Sequence, residues 1–441
     1  MKSLQSLKFV TIPLALTLAA CAGDDGDTGA SGTTNTSDSG GECVPNMEVS
    51  GEISADTTWS CDVIVSGIVN VTSGATLTVE PGVTVYGKSG SALVFAQGTK
   101  IMAEGTAESP IVFTSSQAAG MRNRGDWGGV VFLGNAATNL MGGTGIAEGL
   151  ESNPTYGGGT SPDAAHSCGT LKYVRVEFAG FELTTDNELN GLTFYSCGTG
   201  TVVDHVQVHM GDDDGIEIFG GGFDLSHLVL TGISDDSLDL DQGFHGTIQH
   251  VFIQQDPADG NYAFEISNQD INLDADPRTK PMIANVTAIG GAGPKSNGIK
   301  LKEGGTGEFH NVIVMGFNNA QVDLTETQTE DQANAGEIMF MNSLFFDNNK
   351  SGSGLYVVSP MSTFDLKAFV EKPTNGNLFD MDPQLTSTSW GTPNIVPAAA
   401  SPALNGIAPP AIFTGAPSDF IGAVKDDASD FTKGWTNFTP N

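Results

Sequence analysis

Through the middle of the chain, apolar and polar positions alternate in short runs that keep returning in one register. "GTLKYVRVEFAG" from Gly169 matches "GTVVDHVQVHMG" from Gly200 almost position for position, and the element recurs as "DLSHLVLTG", "GTIQHVFIQ", "MIANVTAIGG", "GEFHNVIVMG" and "EIMFMNSLFF". Each copy carries a His or Asn just before the alternating stretch: His205, His227, His250, Asn285, Asn311 and Asn342, with Tyr173 opening the series. The intervals are 32, 22, 23, 35, 26 and 31 residues. A short base period with extra residues in some turns predicts a coil with loop insertions. Earlier, "GATLTVEPG" and "GTKIMAEG" share a register that sets Leu77 over Ile101. Period-two alternation excludes a helical bundle, and a β-propeller needs blades of about 40 residues. The fold class expected is all-β, a right-handed parallel β-helix. Val206 and Val208, Leu228 and Leu230, and Val251 and Ile253 should point inward on successive coils.

On this reading His205, His227 and His250 are ladder residues, stacked by translation along the coil, and not metal ligands, which must converge. His245 lies outside that register. The β-helix should occupy residues 43–385, with "SCDVIVSGIVNV" starting the stack. From about Pro373 the period dissolves, and residues 386–441 are expected to cap the last coil with Trp390, Trp435 and Phe438. The segment 134–168 is an insertion able to form a wall or lid, and "RGD" at Arg124–Asp126 reads as a coil-entry turn.

Composition narrows the partners. With 52 acidic and 18 basic residues the formal charge is -34, which repels nucleic acid and attracts cations. At the N-terminus, Lys2 and Lys8 precede "FVTIPLALTLAA", too short for a membrane span and suited to a signal peptide over residues 1–20. "LAAC" resembles a bacterial lipobox, which implies lipid (palmitate) on Cys21, an anchor in the outer membrane, and a membrane partner through that lipid. Residues 21–42 are acidic and nearly devoid of apolar side chains, so they read as a flexible tether. Four further cysteines outside the cytosol allow three pairings, and proximity favours Cys43–Cys61 and Cys168–Cys197.

"RGDWGGVVFLGNA", "LNGLTFYSCGTGTVVDHVQV", "GDDDGIEIFGG" and the ending "FIGAVKDDASDFTKGWTNF" resemble bacterial secreted or lipid-anchored parallel β-helix proteins of pectin-lyase-like type, mostly surface lipoproteins of undefined activity. The resemblance implies the fold and no established chemistry.

Two acidic clusters remain. "DDGIEIFGG" at Asp213 and "DDSLDLDQG" at Asp235 align with an offset of 22 residues, one coil. Asp213 then stacks on Asp235, Asp214 on Asp236 and Glu217 on Asp239, about one strand spacing apart. Such carboxylates must splay into solvent, share protons or hold a cation. As oxygen ligands all six suit Ca²⁺. A resemblance to polygalacturonase-type enzymes implies catalytic roles for Asp214, Asp235, Asp236 and His245, with "IKLKEGG" at Ile299 as the basic strand. Against that, His245 follows Asp236 by only nine residues, and Lys300 and Lys302 should lie several coils from the acids. The expectation is a non-enzymatic surface lipoprotein binding Ca²⁺ and a glycan or another surface protein. The alternative is a polysaccharide-degrading enzyme.

Overall fold

The computed structural model describes residues 44–150, 152–184, 187–413 and 418–441. The expected signal peptide, Cys21, the tether and Cys43 lie outside them. The chain winds as a three-sided parallel β-helix in which each strand pairs with its counterpart one coil on. We call the three faces sheets A, B and C in the order in which a coil passes through them. The strand Gly169–Glu177 shows how a coil turns: residues 169–172 belong to sheet A and 174–177 to sheet B, with a bend at Tyr173.

That bend explains the ladder seen in the sequence. Tyr173, His205, His227, His250, Asn285, Asn311 and Asn342 all have positive φ, between 48° and 60°. The left-handed conformation folds the strand from one face to the next. Asn and His are among the side chains enriched there, so the repeated residue marks a corner of the backbone. The rings do stack by translation, Tyr173 on His205 and His205 on His227 at 4.3 Å, and His227 on His250 at 5.1 Å. Asp204 Oδ1 lies 2.9 Å from His205 Nδ1 and 2.8 Å from His227 Nδ1.

Backbone register reproduces the sequence intervals: Val174 pairs with Val206, Val206 with Leu228, Leu228 with Val251, Val251 with Val286, Val286 with Val312, and Ile313 with Leu344. The long intervals are turns that bulge outward. One contains residues 178–184 and 187–190, another 268–281, and the last holds the helix Thr327–Ala335. Inward residues from all three faces form one continuous core, including Val206, Val208, Leu228, Leu230, Val251 and Ile253.

Two smaller cores lie outside the coil. Ala92, Val94, Val131, Leu133, Tyr195 and Phe219 project outward from sheet C and pack under Ala147, Leu150 and Tyr156, so insertion 134–168 is a wall on that face. The disulfide Cys168–Cys197 ties the insertion's end to the turn after strand Leu192–Tyr195, as proximity suggested.

The second outer core corrects an expectation. Trp435 does not cap the last coil; it packs edge-on against Tyr173 and His205, in the middle of the stack. Residues 418–441 run back along sheet B, where Val229, Phe252, Ile289, Ile313 and Leu344 form an outward apolar stripe that Ile421, Val424 and Trp435 cover. Polar groups fix the path. Asn285 Nδ2 donates to Phe420 O, Gln207 Nε2 to Asn437 O, Arg175 Nη1 to Trp435 O and Asn441 Nδ2 to Arg122 O. Phe438 faces Phe252 of sheet B, and Trp390 rests beside Gly232 and Met210, so neither sits at an end. An apolar stripe on the solvent side of sheet B demands a cover, and the C-terminal segment supplies it. At the far end the short helix Leu366–Val370 buries Leu366 and Val370 against the main core.

Arg124 of the RGD triplet bonds Asp256 at 2.9 Å and the Gly232 carbonyl at 2.8 Å, which makes it a structural turn. Among the described residues no helix is long and apolar enough to cross a membrane.

Candidate functional site

The acidic clusters meet on sheet C. Strand Ile216–Phe219 pairs with Leu238–Asp241 in the expected register, Ile216 on Leu238, Glu217 on Asp239 and Ile218 on Leu240. The isoleucines and leucines enter the core, which turns Glu217 and Asp239 outward. The outward row continues on both sides: Thr193 precedes Glu217, and Glu265, Lys300 and Asp323 follow Asp239.

Beside this row, in the turn entering sheet C, runs a second one. Asn190 Oδ1 accepts from the Asp214 amide at 3.1 Å, Asp214 Oδ1 from the Asp236 amide at 2.9 Å, and Asp236 Oδ1 from the Tyr262 amide at 2.6 Å. Each side chain thus holds the backbone of the next coil. Asp214 and Asp236 have a structural duty, and each has one oxygen engaged in it. Asp235 accepts from Asn261 Nδ2 at 2.7 Å.

Donor atoms converge in three overlapping groups. Asp213, Asp214 and Asp235 form one, Asp214, Glu217 and Asp239 another, and Asp236, Asp239 and Glu265 the third, with the ligand atoms of each within 4.8 Å of one another. All six proposed Ca²⁺ ligands fall in these groups. Glu265, which sequence reasoning missed, joins them. Its signal was present: "YAFEIS" has the same alternation as "SLDLDQ", and Glu265 occupies the position of Asp239.

Burial governs the charges. Desolvation first, and neighbouring carboxylates second, push Asp214, Glu217 and Asp239 well above the ordinary carboxylate range. Asp236 is pushed the same way by burial and by Glu265. Burial also raises Asp241, to about 7. Glu217 donates nothing as a carboxylate but accepts from Asn190 Nδ2 at 2.5 Å. Asp239 is partly exposed, yet its Oδ1 is buried and meets no donor.

The placing of the lysines reverses an expectation. Lys300 and Lys302 are not several coils away: Lys300 pairs with Glu265, which pairs with Asp239, so two strand spacings separate Lys300 from Asp239. Long insertions lengthen the sequence between coils but not the distance. Lys300 Nζ lies 3.1 Å from Glu265, and Lys302 contacts the same carboxylate. Burial disfavours the Lys302 charge, but Glu265 beside it outweighs this and holds the amine above its ordinary range.

His245 stays apart. It sits in the turn after Leu238–Asp241, its Nδ1 2.9 Å from Gly243 O, facing a small recess of about 110 Å³ lined by Thr199, Phe223 and Asp224. Asp236 stands before that strand and His245 after it, and the strand alone spans about 13 Å. The polygalacturonase-like set is therefore not assembled on one face.

A solenoid of stacked parallel sheets is a β-helix architecture. The sequence profile of the pectate-lyase-like beta helix domain matches residues 51–391, and the chain belongs to that family. Neither curated proteins nor solved structures yield a match.

Proposed function

We propose that this chain is a lipid-anchored surface β-helix whose sheet C holds a divalent cation, Ca²⁺ by donor chemistry, and that it serves as a binding scaffold for a glycan or another surface protein. The observation that carries the cation is Asp239, whose buried Oδ1 has no donor and which belongs to two groups of converging carboxylates. A buried acceptor left unpaired costs about 1–3 kcal/mol, and a hard cation removes that cost while offsetting the surrounding charge. The donor set is all oxygen, which suits Ca²⁺ and disfavours softer metals. Asp213, Asp214, Glu217, Asp235, Asp236 and Asp239 would hold it, with Glu265 at the edge.

Anchoring rests on the lipobox-like "LAAC" and the tether that follows it. It predicts that the wild-type chain partitions with outer membranes and that Cys21→Ser moves it to the soluble fraction. Calorimetric titration of that soluble variant with CaCl₂ tests the cation: saturable binding that disappears in Asp214→Asn/Asp239→Asn supports the reading, and heat unaffected by the substitutions refutes it.

A second reading, polysaccharide cleavage, draws support from Lys300 and Lys302 standing on the acidic face. Both amines are engaged by Glu265, and Lys302 is held protonated, so neither is set up as a general base. Release of reducing or unsaturated ends from neutral or acidic glycans would favour this second reading over the first.

A further inference from the structure

The outer side of the coil carries a feature unrelated to the carboxylates. The hairpin formed by Leu385–Ser387 and Asn394–Pro397 stands against the coil, and its tip carries Trp390. The indole rests on the turn at Gly232, where an added Cβ would lie 2.8 Å from the ring and 2.7 Å from Met210 Sδ. Beside it opens a cavity of about 130 Å³, walled by Trp390, Thr388, Gln254 and Lys350 and floored by Gly290 and Gly316.

We propose that this trough binds one neutral sugar ring of a glycan chain. The proposal narrows the ligand half of the function proposed above and is independent of the cation half.

Three features point to that chemistry. The first is the amide of Gln254, a residue only 3% exposed. Its Nε2 donates to Thr388 O at 2.9 Å, and its Oε1 meets no donor at all. A buried acceptor in a cavity wall is satisfied by a hydroxyl hydrogen arriving from a ligand. The second is the floor. At Gly316, φ +78°, an added Cβ would make only ordinary van der Waals contact, 3.7 Å from Gly290 O and 4.0 Å from Lys350 Nζ, so the floor is not sealed by close packing. The third is the lining itself, which brings an aromatic side chain, Trp390, together with the polar groups of Gln254, Thr388 and Lys350, the mixture expected where a ligand offers both an apolar face and hydroxyls. A pyranose ring has that character: axial C–H groups for the indole and equatorial hydroxyls for Gln254 and Thr388.

Neutrality follows from the charges. The cation at the rim, Lys350, already pairs with Asp347 at 3.1 Å. The chain's net charge of -34 repels polyanions at long range.

The test uses the soluble Cys21→Ser chain, titrated with xylohexaose, cellohexaose, mannohexaose and a β-1,4-galacto-oligosaccharide while tryptophan emission and calorimetric heat are followed. Titrations are run in CaCl₂ and again in EDTA. The expected result is saturable binding of at least one oligosaccharide, weakened at least tenfold by Trp390→Ala and by Gln254→Met. Ala292→Phe, at an exposed lining position, fills the trough without touching the core and should abolish binding even if Trp390→Ala loosens the hairpin. Binding that persists unchanged in Trp390→Ala and Ala292→Phe overturns this assignment while leaving a glycan-binding scaffold standing. Absence of binding by all four sugars overturns it as well. Loss of sugar binding in EDTA alone would move the ligand to sheet C and refute the trough.

Discussion

Asp239→Asn should stabilise the protein when cations are chelated and destabilise it, relative to wild type, when Ca²⁺ is abundant. Asp239 sits between Glu217 and Glu265, one strand spacing from each, and its donor atoms lie within 4.8 Å of those of Asp214 and Glu217. Two unit charges at that distance repel by about 3.5 kcal/mol at an effective dielectric near 20. Glu265 is offset by two lysines, so the remaining partners are Glu217, Asp214 and Asp236. Proton uptake limits the repulsion actually suffered, because burial holds these groups above their usual range. The net gain from the amide is therefore about 1–3 kcal/mol.

Stability against pH carries the same sign. A carboxyl raised on folding adds stability below its unfolded value near 4 and loses it as pH rises through the folded value. Asp241, raised to about 7, places its share of that loss between roughly pH 4 and 7. Chelated wild type should thus weaken as pH rises across this window, and the variant should weaken less. Ca²⁺ at 100 times its dissociation constant would return about 2.7 kcal/mol to wild type alone. Thermal melting reads the difference, at about 1 °C per kcal/mol for a chain this long. Should the Asp239→Asn variant melt lower than wild type in EDTA, or gain as much from Ca²⁺, the reasoning is refuted.

Opening the Cys168–Cys197 link, which closes a loop of sequence separation 29, should cost about 3–4 kcal/mol by chain entropy, read as a lower denaturation midpoint for Cys168→Ala/Cys197→Ala. At the corner residue Asn285, with φ 55°, Asn285→Ala should destabilise about 1–2 kcal/mol more than Asn285→Gly, since only the alanine is strained there and both lose the bond to Phe420 O. Equal losses in urea unfolding would remove backbone strain as the reason for the ladder. His250 is buried beside His227 and lowered to about 4, so its imidazole should stay neutral in NMR titration down to that pH. Being depressed on folding, it should contribute a stability loss only as pH falls from about 6.5 through 4.

The repeat was legible because each coil must bury the same inward positions, and strand pairing forces the same spacing upon them. Val206 over Leu228 over Val251 is read directly from alternation, and so is Glu217 over Asp239. The corner residues were visible as a pattern, but their cause was not. Their identity reports a backbone conformation, while the expectation assigned them to a ladder of side chains interacting from coil to coil. Lys300 and Lys302 were misplaced because residues 268–281 count in sequence and leave the stacking distance unchanged. The C-terminal segment was misread for a different reason: it crosses the coils instead of joining them. Nothing in "DFIGAVKDDASDFTKGWTNF" repeats, so only the unexplained apolar residues Val229, Phe252 and Ile313 on the outer side of sheet B could have announced a cover.

That crossing segment changes how the molecule would come apart. A stack of coils joined only to nearest neighbours frays from either end, one rung at a time. Here Gly422 holds Asn311, Ala423 bonds Thr287 and faces His250, Phe431 touches His227, and Trp435 lies on His205 and Tyr173, so one strand of chain laces six rungs together. Loosening any of these rungs first requires peeling the lace. Pulled by its C-terminus, the molecule would yield at Asn441 and unlace toward Gly422 before any of these six rungs opened, and the coils bearing Glu217, Asp239 and Glu265, which belong to the laced rungs, would be among the last to lose their register.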